Sequence, residues 1–451
     1  MLYCLNVQAA VPPVHEFMLD NGLKLVVQED HRAPVVVSQI WYKVGSSYEH
    51  SGITGISHAL EHMMFKGTQK RGPGEFSRII AENGGQENAF TSDDYTAYFQ
   101  TLERSRLPVS FELEADRMRN LNLLEQEFAK EIKVVMEERR LRTEDRPQAF
   151  AYETAQATAY QTSPYRHPVI GWMRDLEAMT VEDLRAWYRR WYAPNNAIVV
   201  VVGDVDPKEV YTLAKTYFGP LPAEPAGNDK PRSEVPQQGI KRVTVRRVAE
   251  LPYLILAYKV PVLKTAIDQP DHVPAWEVYA LEVLAGLLGG GESARLNKNL
   301  VRGREIAASV GAGYSLISRL DSLFVFDGVP AQGHTVEELE AGLREELKRV
   351  QDRVVDPKEL QRVKTQVITN TIYEQDSMFY QAMQIGSLES VGLSWRLKDT
   401  YVDRIKAVTA EQVQAVARKY LVDDHLTIAV LDPVPAKGSN DHQPATKAIN
   451  R

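Results

Sequence analysis

The chain has 451 residues, and its 53 Lys plus Arg against 60 Asp plus Glu leave a formal charge of -7, which excludes the broad basic surface that nucleic acid or anionic lipid requires. With 44% apolar residues it has the composition of a globular protein, and its length exceeds what one hydrophobic core serves, so two domains are expected. Cys4 is the single cysteine, so an internal disulfide and a thiolate metal cage are both excluded, and any metal must be held by His and carboxylates.

Residues 1–13 open with an apolar run ending in Ala9-Ala10, which reads either as the remnant of a secretory signal or as a disordered N terminus. Asn21-Gly22, between alternating segments, predicts a hairpin, and the β-rich run over residues 35–44 predicts a strand. His58-Ala59-Leu60-Glu61-His62 follows Gly52, Thr54 and Gly55 and continues into Met63, Met64 and Phe65, the context of a buried helix. On a helix, histidines four apart project from one face, so both imidazoles reach one metal ion, with Glu61 beside them. A zinc ion with three protein ligands keeps its fourth position for water, and a neighbouring carboxylate is placed to take the proton. Random placement gives such a His-x-x-acid-His in roughly three chains in a hundred, so the motif is specific without deciding the matter alone.

Residues 87–98 alternate around a turn. The stretches 105–120, 125–142 and 180–191 carry apolar residues at helical spacing, the last with Thr180 and Asp183 placed as a capping pair, and 197–202 reads as a buried strand. Within 125–142, Ile132, Val135 and Met136 form the apolar face, and on this pattern alone Glu131 and Glu138 read as members of a solvated face. Residues 222–239 are polar and rich in Pro and Gly, as an interdomain linker is. The unit that begins at Thr180 recurs from Thr409, each time as a helix, a turn and a strand, which points to an internal duplication. The expected fold is therefore α+β, with two homologous domains, 14–221 and 240–435, each a β-sheet packed with helices, and a polar tail over 436–451. Gly289-Gly290-Gly291 lacks the spacing of a phosphate loop and reads as a turn. His167 has no ligand partner at helical spacing. No later run is long and apolar enough to span a bilayer.

The motif His-x-x-Glu-His, with Glu138 at the family's distance behind it, resembles the pitrilysin-type zinc metallopeptidases, the inverzincins that include insulin-degrading enzyme and the mitochondrial processing peptidase. The resemblance runs from about Val14 to Pro433 and is tightest around the metal motif. It implies one Zn2+ per chain on His58, His62 and Glu138, catalysis by Glu61, and for Glu131, two helical turns before the third ligand, a role in supporting the zinc site and assisting catalysis. It also implies a substrate-binding edge strand at Asn88, Ala89 and Phe90, which an extended peptide joins as a further strand. Two such domains would form half of a clamshell around the peptide. Active single-chain relatives carry an Arg and, seven residues on, a Tyr in the second half that hold the substrate carbonyl, which would make Arg302 a substrate-binding residue. Here Arg302 is kept, but Ser309 stands where the Tyr belongs. Because some bacterial members are two-chain assemblies, the resemblance implies a zinc endopeptidase subunit of the insulinase-like or processing-peptidase-like branch, with a companion subunit that supplies the Arg/Tyr pair, or a homodimer. The alternative is a catalytically weak peptide-binding or scaffolding subunit. A bacterial periplasmic or secreted location goes with the signal reading, and a cytoplasmic one with the other.

Overall fold

The computed structural model describes residues 13–225 and 233–435. The expected leader, Pro13 excepted, the middle of the linker and the polar tail lie outside the described residues. The first half runs β1 (Val14–Met18), β2 (Lys24–Glu29), β3 (Val35–Tyr42), α1 (Ile56–Met63), α2 (Glu75–Glu82), β4 (Gln86–Thr91), β5 (Thr96–Glu103), α3 (Leu107–Arg119), α4 (Glu125–Arg139), α5 (Pro147–Ala159), α6 (Met173–Ala178), α7 (Val181–Trp191), β6 (Ala197–Gly203) and α8 (Pro207–Tyr217). The second runs β7 (Lys241–Val248), β8 (Tyr253–Val260), α9 (Leu263–Asp268), α10 (Ala275–Gly289), β9 (Ala307–Gly313), β10 (Ser322–Pro330), α11 (Val336–Asp352), α12 (Pro357–Glu374), α13 (Met378–Ser390), α14 (Leu397–Ala407), α15 (Ala410–Tyr420) and β11 (Leu426–Val434).

The first sheet has the order β1-β2-β6-β3-β5-β4 and the second β7-β11-β8-β10-β9. In each, one parallel pair, β2 with β6 and β7 with β11, sits among antiparallel neighbours. Apart from β1, the two orders correspond strand for strand, which gives the α+β fold of two related sheet-plus-helix halves. The repeated unit behind that expectation is closely matched. Thr180 and Thr409 both form capping boxes, with Asp183 and Gln412, that start α7 and α15, and each helix leads through a short turn into a buried strand of its sheet. The Asn21-Gly22 hairpin also forms, joining β1 and β2 in antiparallel register.

The halves also exchange helices. The small-residue stripe Ala151, Ala155 and Ala159 of α5 is buried, and α5 packs on β7, β8 and β11 of the second sheet. In return α13 packs on β3 and β6 of the first, where Gly386 lies so close to Trp41 that a Cβ there would come within 2.0 Å of the indole. Each sheet thus has one face covered by a helix from the other half. Polar contacts tie the same seam: Arg319 reaches the Asp94 carboxylate at 3.4 Å and the Ser47 hydroxyl at 2.8 Å, and lies over the Tyr48 ring.

Candidate metal centre and its surroundings

The start of α1 is fixed before its functional residues are reached. Gly55 takes a left-handed conformation, φ 86°, with no room for a Cβ, which would meet the carbonyl oxygen of Ile170 at 2.5 Å. The backbone N–H groups of Gly55 and Ser57 then donate to the buried carboxylate of Glu49, at 2.6 and 2.9 Å, so two donors that a helix start leaves unpaired are satisfied. Ile56, Ala59, Leu60 and Met63 are buried, one stripe at helical spacing held in the core. That packing turns His58, Glu61 and His62 the other way, into a cavity of about 630 Å3.

The third member comes from α4. Val135 is buried and Ile132 and Met136 pack against the same core, which presents Glu131 and Glu138 to the histidines rather than to solvent. Glu138 Oε2 lies 3.7 Å from His58 Nε2 and 3.4 Å from His62 Nε2. Tetrahedral ligands about 2.0–2.1 Å from one zinc ion stand roughly 3.3 Å apart, so these three atoms fit a single zinc with little movement. His58, His62 and Glu138 form the one cluster of three potential ligands among the described residues, with ligand atoms within 4.8 Å of one another. The neutral form of imidazole that a metal needs is also favoured. Burial, with His62 and Arg142 nearby, holds the His58 imidazole down to about 3.

The surrounding groups set orientation. Glu131 Oε2 lies 3.4 Å from His62 Nδ1, on the side of the ring away from Glu138, and Lys66 holds the other Glu131 oxygen at 2.6 Å. A carboxylate on Nδ1 keeps the proton there and leaves Nε2 free for a metal. Arg142 pairs with Glu138 Oε1 at 2.8 Å. Glu61 accepts a hydrogen bond from the Thr91 hydroxyl at 2.5 Å, and burial pushes its carboxyl above the ordinary range. Thr91, Lys66 and Arg142 were not singled out from sequence. Only for Arg142 was a signal available in the spacing, four residues after Glu138, which puts it over its partner.

Asn88, Ala89 and Phe90 line the same cavity, on β4, the edge strand of the first sheet. Ala89 packs on the core side, and its N–H is met by the Asn88 side chain at 2.8 Å. Arg302 is not brought to this cavity. Its guanidinium donates to the carbonyl of Glu292 within the second half, and Ser309 is exposed on β9. Tyr314, the nearby tyrosine, donates its hydroxyl to the Pro261 carbonyl at 2.8 Å. His167 is buried beside Trp172, whose indole N–H points at its Nδ1 from 3.4 Å, and stands apart from the cluster.

Two family models match the chain. Residues 24–171 match the one described as insulinase (peptidase family M16), and residues 178–367 match the peptidase M16 inactive domain. The chain belongs to peptidase family M16. The cluster lies wholly within the first match. Among relatives of this M16 chain, the zinc protease PqqE of Helicobacter pylori is 37% identical over 326 residues, 71% of each chain. A probable mitochondrial-processing peptidase subunit beta of Arabidopsis thaliana is 25% identical over 438 residues, covering 94% of this chain and 79% of its own. The crystal structure of a protease from Helicobacter pylori superposes with a TM-score of 0.87 at 31% identity, over 94% of this chain and 100% of that one. Among the described residues, no helix is long and apolar enough to cross a membrane.

Proposed function

We propose that the chain is a zinc-dependent endopeptidase, the metal-bearing subunit of a two-chain assembly, built from a catalytic domain over 14–221 and a related metal-free domain over 240–435. In this reading His58, His62 and Glu138 hold one zinc ion. A zinc ion held there would supply Lewis acidity toward a substrate carbonyl and an attacking water. Glu61 takes the proton from the attacking water and hands it to the departing amine, and its burial beside Thr91 suits a group that must both accept and release it. Glu131 orients His62. An extended peptide pairs with the free edge of β4 along Asn88, Ala89 and Phe90, so that main-chain bonds supply affinity with little demand on sequence.

The observation that carries this reading is the convergence of two Nε2 atoms and one carboxylate oxygen with Glu61 alongside. Glu61→Gln tests it. The variant is expected to keep one zinc per chain by elemental analysis and to lose about a hundredfold or more of its cleavage of a quenched random peptide. Full activity would remove Glu61 from the mechanism.

The position of Arg302, spent on a backbone carbonyl, and the serine at 309 support a companion subunit of the same family that supplies the missing Arg/Tyr pair, the two chains closing as clamshell halves. A homodimer is the other arrangement. The purified zinc-loaded chain is expected to be slow by itself, and ordinary enzyme rates from it alone would sink the two-chain reading. If no companion restores activity, the same two residues favour a weak peptide-binding or scaffolding subunit. A leader at the N terminus would send the protein to the periplasm or outside the cell.

A further inference from the structure

The second half carries, where α1 stands in the first, a helix, α10, that repeats its Ala-Leu-Glu triplet. α10 packs against edge strand β9, α12 and α15, as α1 packs against edge strand β4, α4 and α7. Over the metal motif, His58-Ala59-Leu60-Glu61-His62 corresponds in sequence to Tyr279-Ala280-Leu281-Glu282-Val283. Both imidazoles are replaced, yet the carboxylate remains.

Glu282 opens into a cavity of about 310 Å3 walled by Tyr279, Tyr314, Tyr401, Leu388 and Leu397. The Tyr401 hydroxyl donates to Glu282 Oε1 at 3.0 Å, and among the described residues no donor meets Oε2. Lys398 lines the same cavity but directs its ammonium to Gln28 Oε1, 2.9 Å away. Glu374, exposed at the mouth, adds a second negative charge. Among the described residues no cation answers Glu282, and burial pushes its carboxyl up to about 7. An ionised carboxylate in such a place is a standing cost that a bound cation offsets.

We propose that this cavity binds a primary alkylammonium group on an apolar stem, the chemistry of a lysine side chain, with the ammonium on Glu282 and the stem between the tyrosine rings and the leucines. Aromatic faces attract a cation, and the leucines suit a methylene chain. Two carboxylates repel anions. A guanidinium would need both oxygens of one carboxylate, and Tyr401 already occupies one, whereas an ammonium bonds well to a single oxygen. A divalent metal is disfavoured because Tyr279 and Val283 stand where the first half has imidazoles.

The inference is independent of the peptidase reading and is tested on the zinc-loaded full chain with n-pentylammonium and its uncharged analogue 1-pentanol, by saturation-transfer NMR titration. At pH 8 the ammonium is expected to bind at least tenfold more tightly than the alcohol, and Glu282→Gln is expected to abolish that preference. The variant leaves the first-half cluster intact, so amine binding that survives it counts against the cavity. A second arm needs no variant. Between pH 8 and 5.5 pentylammonium stays charged, since such an amine titrates near about 10.4, so its affinity for the unmodified chain should fall as Glu282 takes up its proton. Blocked tetrapeptides with lysine or norleucine separate the sources: lysine-dependent binding assigns the cavity to peptide side chains, and binding of the free amine alone assigns it to a small amine. Equal affinity of the unmodified chain and Glu282→Gln for pentylammonium, or no preference over pentanol at pH 8, overturns the proposal.

Discussion

The two halves set a helix with the same Ala-Leu-Glu core on matching scaffolds and differ in the three side chains around it. In the first half, histidines flank the glutamate and α4 adds a carboxylate, so three donors meet within 4.8 Å. In the second, a tyrosine and a buried valine take the histidine places, and the glutamate is left among aromatic and aliphatic walls. A shared backbone therefore fixes where the glutamate stands, while two or three substitutions decide whether potential metal ligands or an apolar wall surround it.

The largest test of that contrast is to reduce the first half toward the second. His62→Ala leaves two ligands, which do not hold zinc firmly, so metal content is expected to fall from one per chain to near none and peptide cleavage to background. Retained stoichiometric zinc would separate the cluster from the metal.

Next in size is a pH effect on folding. Burial raises Glu49 and Asp93 in the first half, and Glu282 in the second, to about 7. A carboxyl raised on folding lends its full stability below its unfolded pKa, near 4, and loses it as pH rises toward 7, at most about 4 kcal/mol for each group. The zinc-free chain should therefore unfold in less denaturant at pH 8 than at pH 5. Glu282→Gln should recover part of the loss, because an amide keeps the Tyr401 bond without a charge. Glu49→Gln should recover less, because Glu49 uses both oxygens on the backbone of α1. Equal recovery would mean that the helix start does not need a carboxylate.

Glu131→Gln is a smaller change. It removes the charge beside His62 Nδ1 and the Lys66 partner, and zinc affinity by chelator competition should fall roughly ten- to a hundredfold. An unchanged affinity would make Glu131 a bystander. The smallest effect belongs to Arg142→Ala, which breaks a pair one helical turn long whose guanidinium is exposed. Stability should change by only about 0.5 kcal/mol, and a loss of several kcal/mol in chemical denaturation would show that Arg142 carries more than a surface pair.

The metal motif, the capped helices and the repeated helix-to-strand unit were legible in the sequence because each depends on neighbours along the chain. Spacing of three and four places His58, Glu61 and His62 on one face, and a Thr with an acid or amide three residues on, ahead of apolar residues at helical spacing, marks a helix start. The meeting of Glu138 with the two rings was not legible from periodicity, which assigns that residue to a solvated face. Only the packing of Ile132, Val135 and Met136 turns the helix far enough to deliver it. The exchange of α5 and α13 between the sheets, the separation of Arg302 from the cluster, and the correspondence of Glu282 with Glu61 likewise come from tertiary structure. Each depends on how segments far apart in the chain are packed, and local propensity carries no information about which of several apolar faces a helix will finally cover.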